Sequence, residues 1–143
     1  MDSELNMSDT FLLEIVTPYN LLLSEEVEHV IAPGIEGEFG VLKGHAPFLT
    51  ALKPGELTYG KGSSNSSLAV SWGYAEVGYD KVTILAETAE KAEEIDLERA
   101  KARAATAEER LRKLNKEDKA YLEEVASLEK AVIRVQIAGK VGR

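Results

Sequence analysis

Residues 31–55, IAPGIEGEFGVLKGHAPFLTALKPG, constrain this chain more than any other stretch. Gly34, Gly37, Gly40, Gly44 and Gly55, with Pro33, Pro47 and Pro54, interrupt the apolar runs before they reach helical length. Glycine permits positive φ and close backbone approach, while proline fixes φ and removes a hydrogen-bond donor. The segment therefore reads as short strands joined by tight turns. Glu36, Glu38, Lys43 and His45 are set among those turns.

The flanking sequence extends the same pattern. Residues 11–17 alternate, with Phe11, Leu13 and Ile15 on one face and Leu12, Glu14 and Val16 on the other. Residues 18–20 turn the chain, and residues 21–23 and 27–32 are two more runs of strand length. His29, inside the second run, reads as a strand-surface or hydrogen-bonded histidine. Residues 56–61 place Leu57 and Tyr59 on one side, and GKGSSNSS reads as a polar hairpin loop. Residues 68–72 return with Leu68, Val70 and Trp72 on one face, followed by strands over 74–78 and 82–86. Many short strands at this spacing predict a small antiparallel β-sandwich or barrel.

From Glu87 the composition shifts to Ala, Glu, Lys and Arg. Leu97, Ala100, Ala104, Ala107, Leu111 and Leu114 recur at steps of three and four, as do Tyr121, Val125, Leu128, Val132 and Val135. These spacings predict two amphipathic helices, the first capped by Asp96, with residues 115–118 between them. The alanines would let the helices approach closely as an antiparallel hairpin. The seven-residue phase also continues through the connection, so a straightened helix would present one long stripe to another protein. The fold class is thus α+β: a sandwich or barrel over residues 1–94, then a helical hairpin over 95–143.

Charge divides at the same place. Residues 1–94 hold 5 Lys/Arg against 16 Asp/Glu, a net −11, and residues 95–143 hold 12 against 9, a net +3. The asymmetry is that of two parts with different partners, or simply of sheet and helix surfaces that differ. The overall charge of −8 argues against general nucleic-acid binding. The absence of cysteine removes disulfides and thiolate metal sites, and two histidines are too few for a histidine-rich centre, so no metal is expected. No apolar run approaches the roughly 20 residues that span a bilayer. Residues 1–9 read as a flexible leader without the plan of a signal or transit peptide, which fits a cytosolic protein and equally a mature organellar one.

Little here suggests catalysis. His45 and Glu38 are close enough in sequence to form a base and its orienter, but no nucleophile or metal spacing accompanies them. Residues 55–61, GELTYGK, match seven places of a phosphate-binding loop, but Gly62 stands where Ser or Thr should hold magnesium. ELTY itself reads as strand, and GSSNSS does not open a helix whose N-terminus could cradle phosphate.

GEFGVLKGHAPFLTALKPG resembles the ε subunit of the rotary F-type ATP synthase, the δ subunit of mitochondria. The resemblance continues through SWGYAEVGYDKVTILAETAEKAEEIDLERA and runs from about residue 11 to about residue 138. Many members have Pro where this chain has Lys43. The resemblance implies a non-catalytic central-stalk rotor subunit whose sandwich grips γ and sits on the c-ring during proton-driven ATP synthesis. It also implies a helical domain that inhibits ATP hydrolysis when extended and makes transient contact with the α and β catalytic subunits. Such a subunit would be peripheral to the cytoplasmic face of the bacterial inner membrane. Glu38 and His45 match family positions that face the c-subunit loops.

IDLERA, residues 95–100, is similar to the I/L-D-x-x-R-A motif by which some bacterial members bind ATP. The resemblance makes Asp96, Arg99 and Ala100 candidates for a regulatory ATP, joined by Lys130 and Arg134, which fall where such members have a basic pair. Asp96 could accept the adenine amino proton while a guanidinium faced phosphate. The first-helix arginine of those members falls at Thr106, with Arg103 one turn earlier. The same residues also read as a helix cap and solvated charges. No cofactor is required on this reading. The alternative function is a free-standing ATP-sensing module built on the same hairpin.

Overall fold

The computed structural model describes residues 9–140. All but Asp9 of the expected leader, and the last three residues of the helical region, lie outside them. Eight strands precede two helices. The strands are β1 (Phe11–Val16), β2 (Leu21–Val27), β3 (His29–Gly34), β4 (Gly37–Leu42), β5 (Phe48–Leu52), β6 (Gly55–Lys61), β7 (Ser64–Val77) and β8 (Lys81–Lys91). A 3-10 turn at Ala92–Glu94 leads to α1 (Leu97–Lys113) and α2 (Lys119–Gly139). The α+β class is as expected: a β-sandwich followed by a helical hairpin. The chain forms two compact units, divided between Ala89 and Glu90.

Along the sheet the strands run β2-β1-β8-β7-β5-β3-β4, and β6 pairs with both β3 and β7. The circuit β7-β5-β3-β6 therefore closes on itself. Strand β2 pairs antiparallel with β1, strands β4, β5 and β6 with β3, and β5 and β6 with β7, whereas β1 with β8 is parallel, with Leu13 opposite Val82 and Ile15 opposite Ile84. Alternation aims one face of each strand inward. Phe11, Leu13 and Ile15 of β1, Leu57 and Tyr59 of β6, Leu68 and Val70 of β7 and Val82, Ile84 and Ala86 of β8 are all buried together. The buried Ser71 finds a hydroxyl partner in Thr88.

Three local readings change. GKGSSNSS is not a loop: Lys61 pairs with Ser64, so only Gly62 and Ser63 turn the chain, and Gly62 takes φ 56°. A two-residue hairpin needs such positive φ, and the following serines pair as strand although they are exposed. Residues 68–72 and 74–78 are not separate strands but parts of β7, which bends at Trp72 (φ 42°) and Gly73 (φ 148°). Across this bend the buried parity switches from Leu68 and Val70 to Ala75 and Val77, and Trp72 emerges from the core. A Cβ on Gly73 would lie 1.8 Å from the Leu85 carbonyl oxygen, so the bend admits no side chain there. Finally, β8 continues to Lys91 through residues whose composition already reads as helical.

In the second unit Asp96 Oδ1 accepts the Arg99 backbone N–H at 3.0 Å and caps α1. The 3-10 turn packs on α2. Ala100 and Ala107 of α1 and Ala131, Ile137 and Ala138 of α2 are buried.

Candidate functional site

Two surfaces carry the candidate residues. The first surrounds β4. Glu38 is exposed, opposite Pro33 at the start of that strand, and makes no hydrogen bond or ion pair among the described residues. His45 is exposed in the turn after β4, which its N–H closes onto the Leu42 carbonyl at 3.2 Å. Its Nδ1 lies 2.8 Å from the Ala46 carbonyl oxygen, and its ring rests on Phe48 with centroids 5.2 Å apart. Phe48 in turn meets Phe39 edge-on at 5.2 Å. Glu38 and His45 thus stand at opposite ends of β4, joined through Phe39 and Phe48, and form no base–orienter pair. Ile35 and Leu42 add exposed apolar area beside them. Lys43 Nζ donates to the Thr10 carbonyl at 3.1 Å and pairs with Asp80 at 3.2 Å. Where a proline would stiffen this turn through its ring, the lysine ties it to neighbouring segments through its side chain.

The second surface lies within the helical unit. Asp96 commits one carboxylate oxygen to capping, the Arg99 side chain is exposed, and Ala100 is fully buried. Lys130 is half-buried on α2. Arg134 grips Glu90 with both arms of its guanidinium, Nε to Oε1 at 2.8 Å and Nη2 to Oε2 at 3.3 Å. Glu90 left no signal in the sequence, because its partner is 44 residues away. Glu124, which faces Arg103 and Arg110 at 3.8 Å each, was also missed. A lone carboxylate at the flank of an apolar stripe reads as solvated.

The segment 55–61 is strand β6, followed by a turn and another strand, so no helix N-terminus stands ready for phosphate. Among the described residues no group of three or more His, Asp or Glu side chains could hold a metal ion, and no helix is long and apolar enough to cross a membrane.

The beta-sandwich domain of the ATP synthase Delta/Epsilon chain matches residues 10–92, and the long alpha-helix domain of the same chain matches residues 93–139. The chain belongs to the ATP synthase delta/epsilon family. The sequence resemblance to the ε subunit of the F-type enzyme is thereby borne out. The ATP synthase epsilon chain of Geotalea daltonii is 60% identical over 137 residues, spanning 96% of this chain and 99% of that one. The epsilon chain of Geobacter metallireducens is 58% identical over the same shares. Among solved structures, a chain of the Euglena gracilis mitochondrial ATP synthase, OSCP/F1/c-ring, superposes with a TM-score of 0.77 at 26% identity, covering 92% of this chain and 81% of that chain. Family membership fits the two-unit architecture, since one family model covers the sandwich and the other the helices.

Proposed function

We propose that this chain is the non-catalytic ε subunit of a bacterial F-type ATP synthase, a central-stalk rotor element that joins γ to the c-ring during proton-driven ATP synthesis. The observation that carries this reading is an apolar ribbon on the outer face of the sandwich. Val16 pairs with both Leu21 and Leu85, the Leu85 carbonyl abuts Gly73, and the next residue, Tyr74, pairs with Ala51. Leu21, Tyr74 and Leu85 are about half exposed, and Leu49, two residues before Ala51, is 67% exposed. Exposed apolar area of this continuity marks a protein-binding face. We assign it to γ, and the turns around Glu38 and His45 to the polar loops of the c subunits. The helical unit then inhibits hydrolysis when it extends along γ toward the catalytic subunits. The complex lies on the cytoplasmic face of the inner membrane, and ATP at Asp96, Arg99, Ala100, Lys130 and Arg134 favours the folded hairpin.

The test is ATPase activity of reconstituted F1 with the full chain and with a chain ending near Glu94, together with copurification of γ. Both chains should retain γ, and only the full chain should restrain hydrolysis. Loss of γ from Tyr74→Asp with the sandwich still folded would support the ribbon as its seat. Undiminished γ binding by Tyr74→Asp and Leu85→Asp together would overturn that assignment.

A further inference from the structure

Glu124 sits on the side of α2 that faces α1, with 12% of its side chain exposed. Arg103 Nη1 is 3.8 Å from its Oε1, and Arg110 Nη1 is 3.8 Å from its Oε2. Both are ion-pair distances beyond hydrogen-bonding reach. Oε1 is buried and accepts no hydrogen bond from the described residues. The arginines are two helical turns apart, with buried Ala107 between them on the same face.

A carboxylate withdrawn from water regains its lost hydration only through close hydrogen bonds and a tight counter-charge. Neither is supplied here. The arginine side chains are 44% and 59% exposed, so water screens their attraction. Beside the carboxylate the fully buried side chains of α1 are Ala100 and Ala107, one methyl group each, so the turn of α1 between the two arginines offers it no polar partner.

We propose that Glu124 is a release element built into the hairpin: its buried, under-bonded carboxylate weakens the closed form relative to any neutral residue of similar size. Separation of the helices returns the carboxylate to water. Arg103 and Arg110 limit the penalty from either side, because each lies at 3.8 Å from a different oxygen of the carboxylate. The hairpin is thereby kept close to the balance point at which a modest outside contact can open it. This inference rests on the hairpin alone and does not depend on the nucleotide reading.

The full-length chain provides the test, by hydrogen exchange of the α2 amides and by spin-label distances between exposed Glu108 and exposed Glu129. Glu124→Gln and Glu124→Leu should both raise α2 protection, the leucine variant by roughly tenfold, and narrow the distance distribution. Arg103→Ala with Arg110→Ala should lower protection, and adding Glu124→Leu should restore it. Sandwich amides serve as the control for folding. Reduced or unchanged α2 protection in Glu124→Gln with those amides intact would show that the carboxylate holds the hairpin shut or is inert, and would overturn the proposal.

Discussion

The sandwich and the hairpin bury different chemistry. Leu13, Ile15, Leu52, Leu57, Leu68 and Ile84 disappear into the sandwich, delivered by strands far apart in the chain. Burying each such side chain is worth about 1.5–3 kcal/mol. The helices instead bury mostly alanines, Ala100, Ala107, Ala131 and Ala138, whose methyl groups are worth about 0.8 kcal/mol each, with Ile137 as the one large side chain fully buried among the described residues of α1 and α2. One unit is held by many large non-local contacts and opens only as a whole. In the other, the backbone hydrogen bonds lie within each helix, so fewer of its contacts depend on distant parts of the chain. The two units are thus distinguished by the size of the side chains they bury before any partner is considered.

The largest effect should follow from emptying the first unit. Leu57→Ala removes a side chain with no solvent exposure and should cost about 2–5 kcal/mol, read from denaturant unfolding followed by Trp72 fluorescence. Exchange in α1 and α2 should change far less. A comparable loss in the helices would break the comparison by showing one cooperative unit. A shortened chain ending near Glu94 sharpens it further and should unfold cooperatively by itself.

The next effect belongs to the hairpin. Ala107→Leu adds bulk where α1 has no exposed surface and should weaken helix pairing by about 1–3 kcal/mol. Hydrogen exchange should localise the loss to residues 97–139 and leave the sandwich amides protected. If the sandwich midpoint falls as much, the alanines are not private to the helical unit.

Removing the cap is milder. Asp96→Ala deprives the Arg99 N–H of its acceptor and should cost about 1 kcal/mol, seen as fraying in the first turn of α1. Unchanged exchange there would mean that the cap contributes nothing to helix entry.

How legible each feature was depended on how local its cause is. The β1 alternation, the Asp96 cap and the alanine spacing act within a few residues, and the structure repeats them. The bend at Trp72 and Gly73 was not legible, because it is imposed by close passage of β8 over a glycine. Exposed serines in β7 read as loop because their pairing with β6 involves no apolar face. The parallel pairing of β1 with β8 joins the first strand to the last and leaves no periodic mark. At the helical candidates the motif named Asp96, Arg99 and Ala100 and the resemblance added Lys130 and Arg134, but the Glu90 partner and the half-buried Glu124 required three dimensions. The β4 turns were readable as turns. The aromatic chain from Phe39 through Phe48 to His45 was not, since it depends on which strands meet.

The smallest stability effect is the most informative about nucleotide. The Arg99 side chain is exposed, while its backbone N–H provides the cap contact and survives substitution. Arg99→Ala should therefore shift stability by no more than about 0.5 kcal/mol. A guanidinium that faces phosphate contributes charge-assisted hydrogen bonds worth more than that. Calorimetry of the full chain with ATP separates the two roles: saturable binding that Arg99→Ala weakens at unchanged stability identifies a ligand contact. A ligand that binds only the closed hairpin stabilises it by RT ln(1 + [L]/Kd), about 2.7 kcal/mol at a hundredfold excess. Even that could be lost on a rigidly closed hairpin, but it would decide the posture of one held near balance. If wild type shows no binding at millimolar ATP, or Arg99→Ala binds as well as wild type, residues 95–100 act as a helix cap alone. Any regulation through the helical unit would then have to come from the protein surfaces around it.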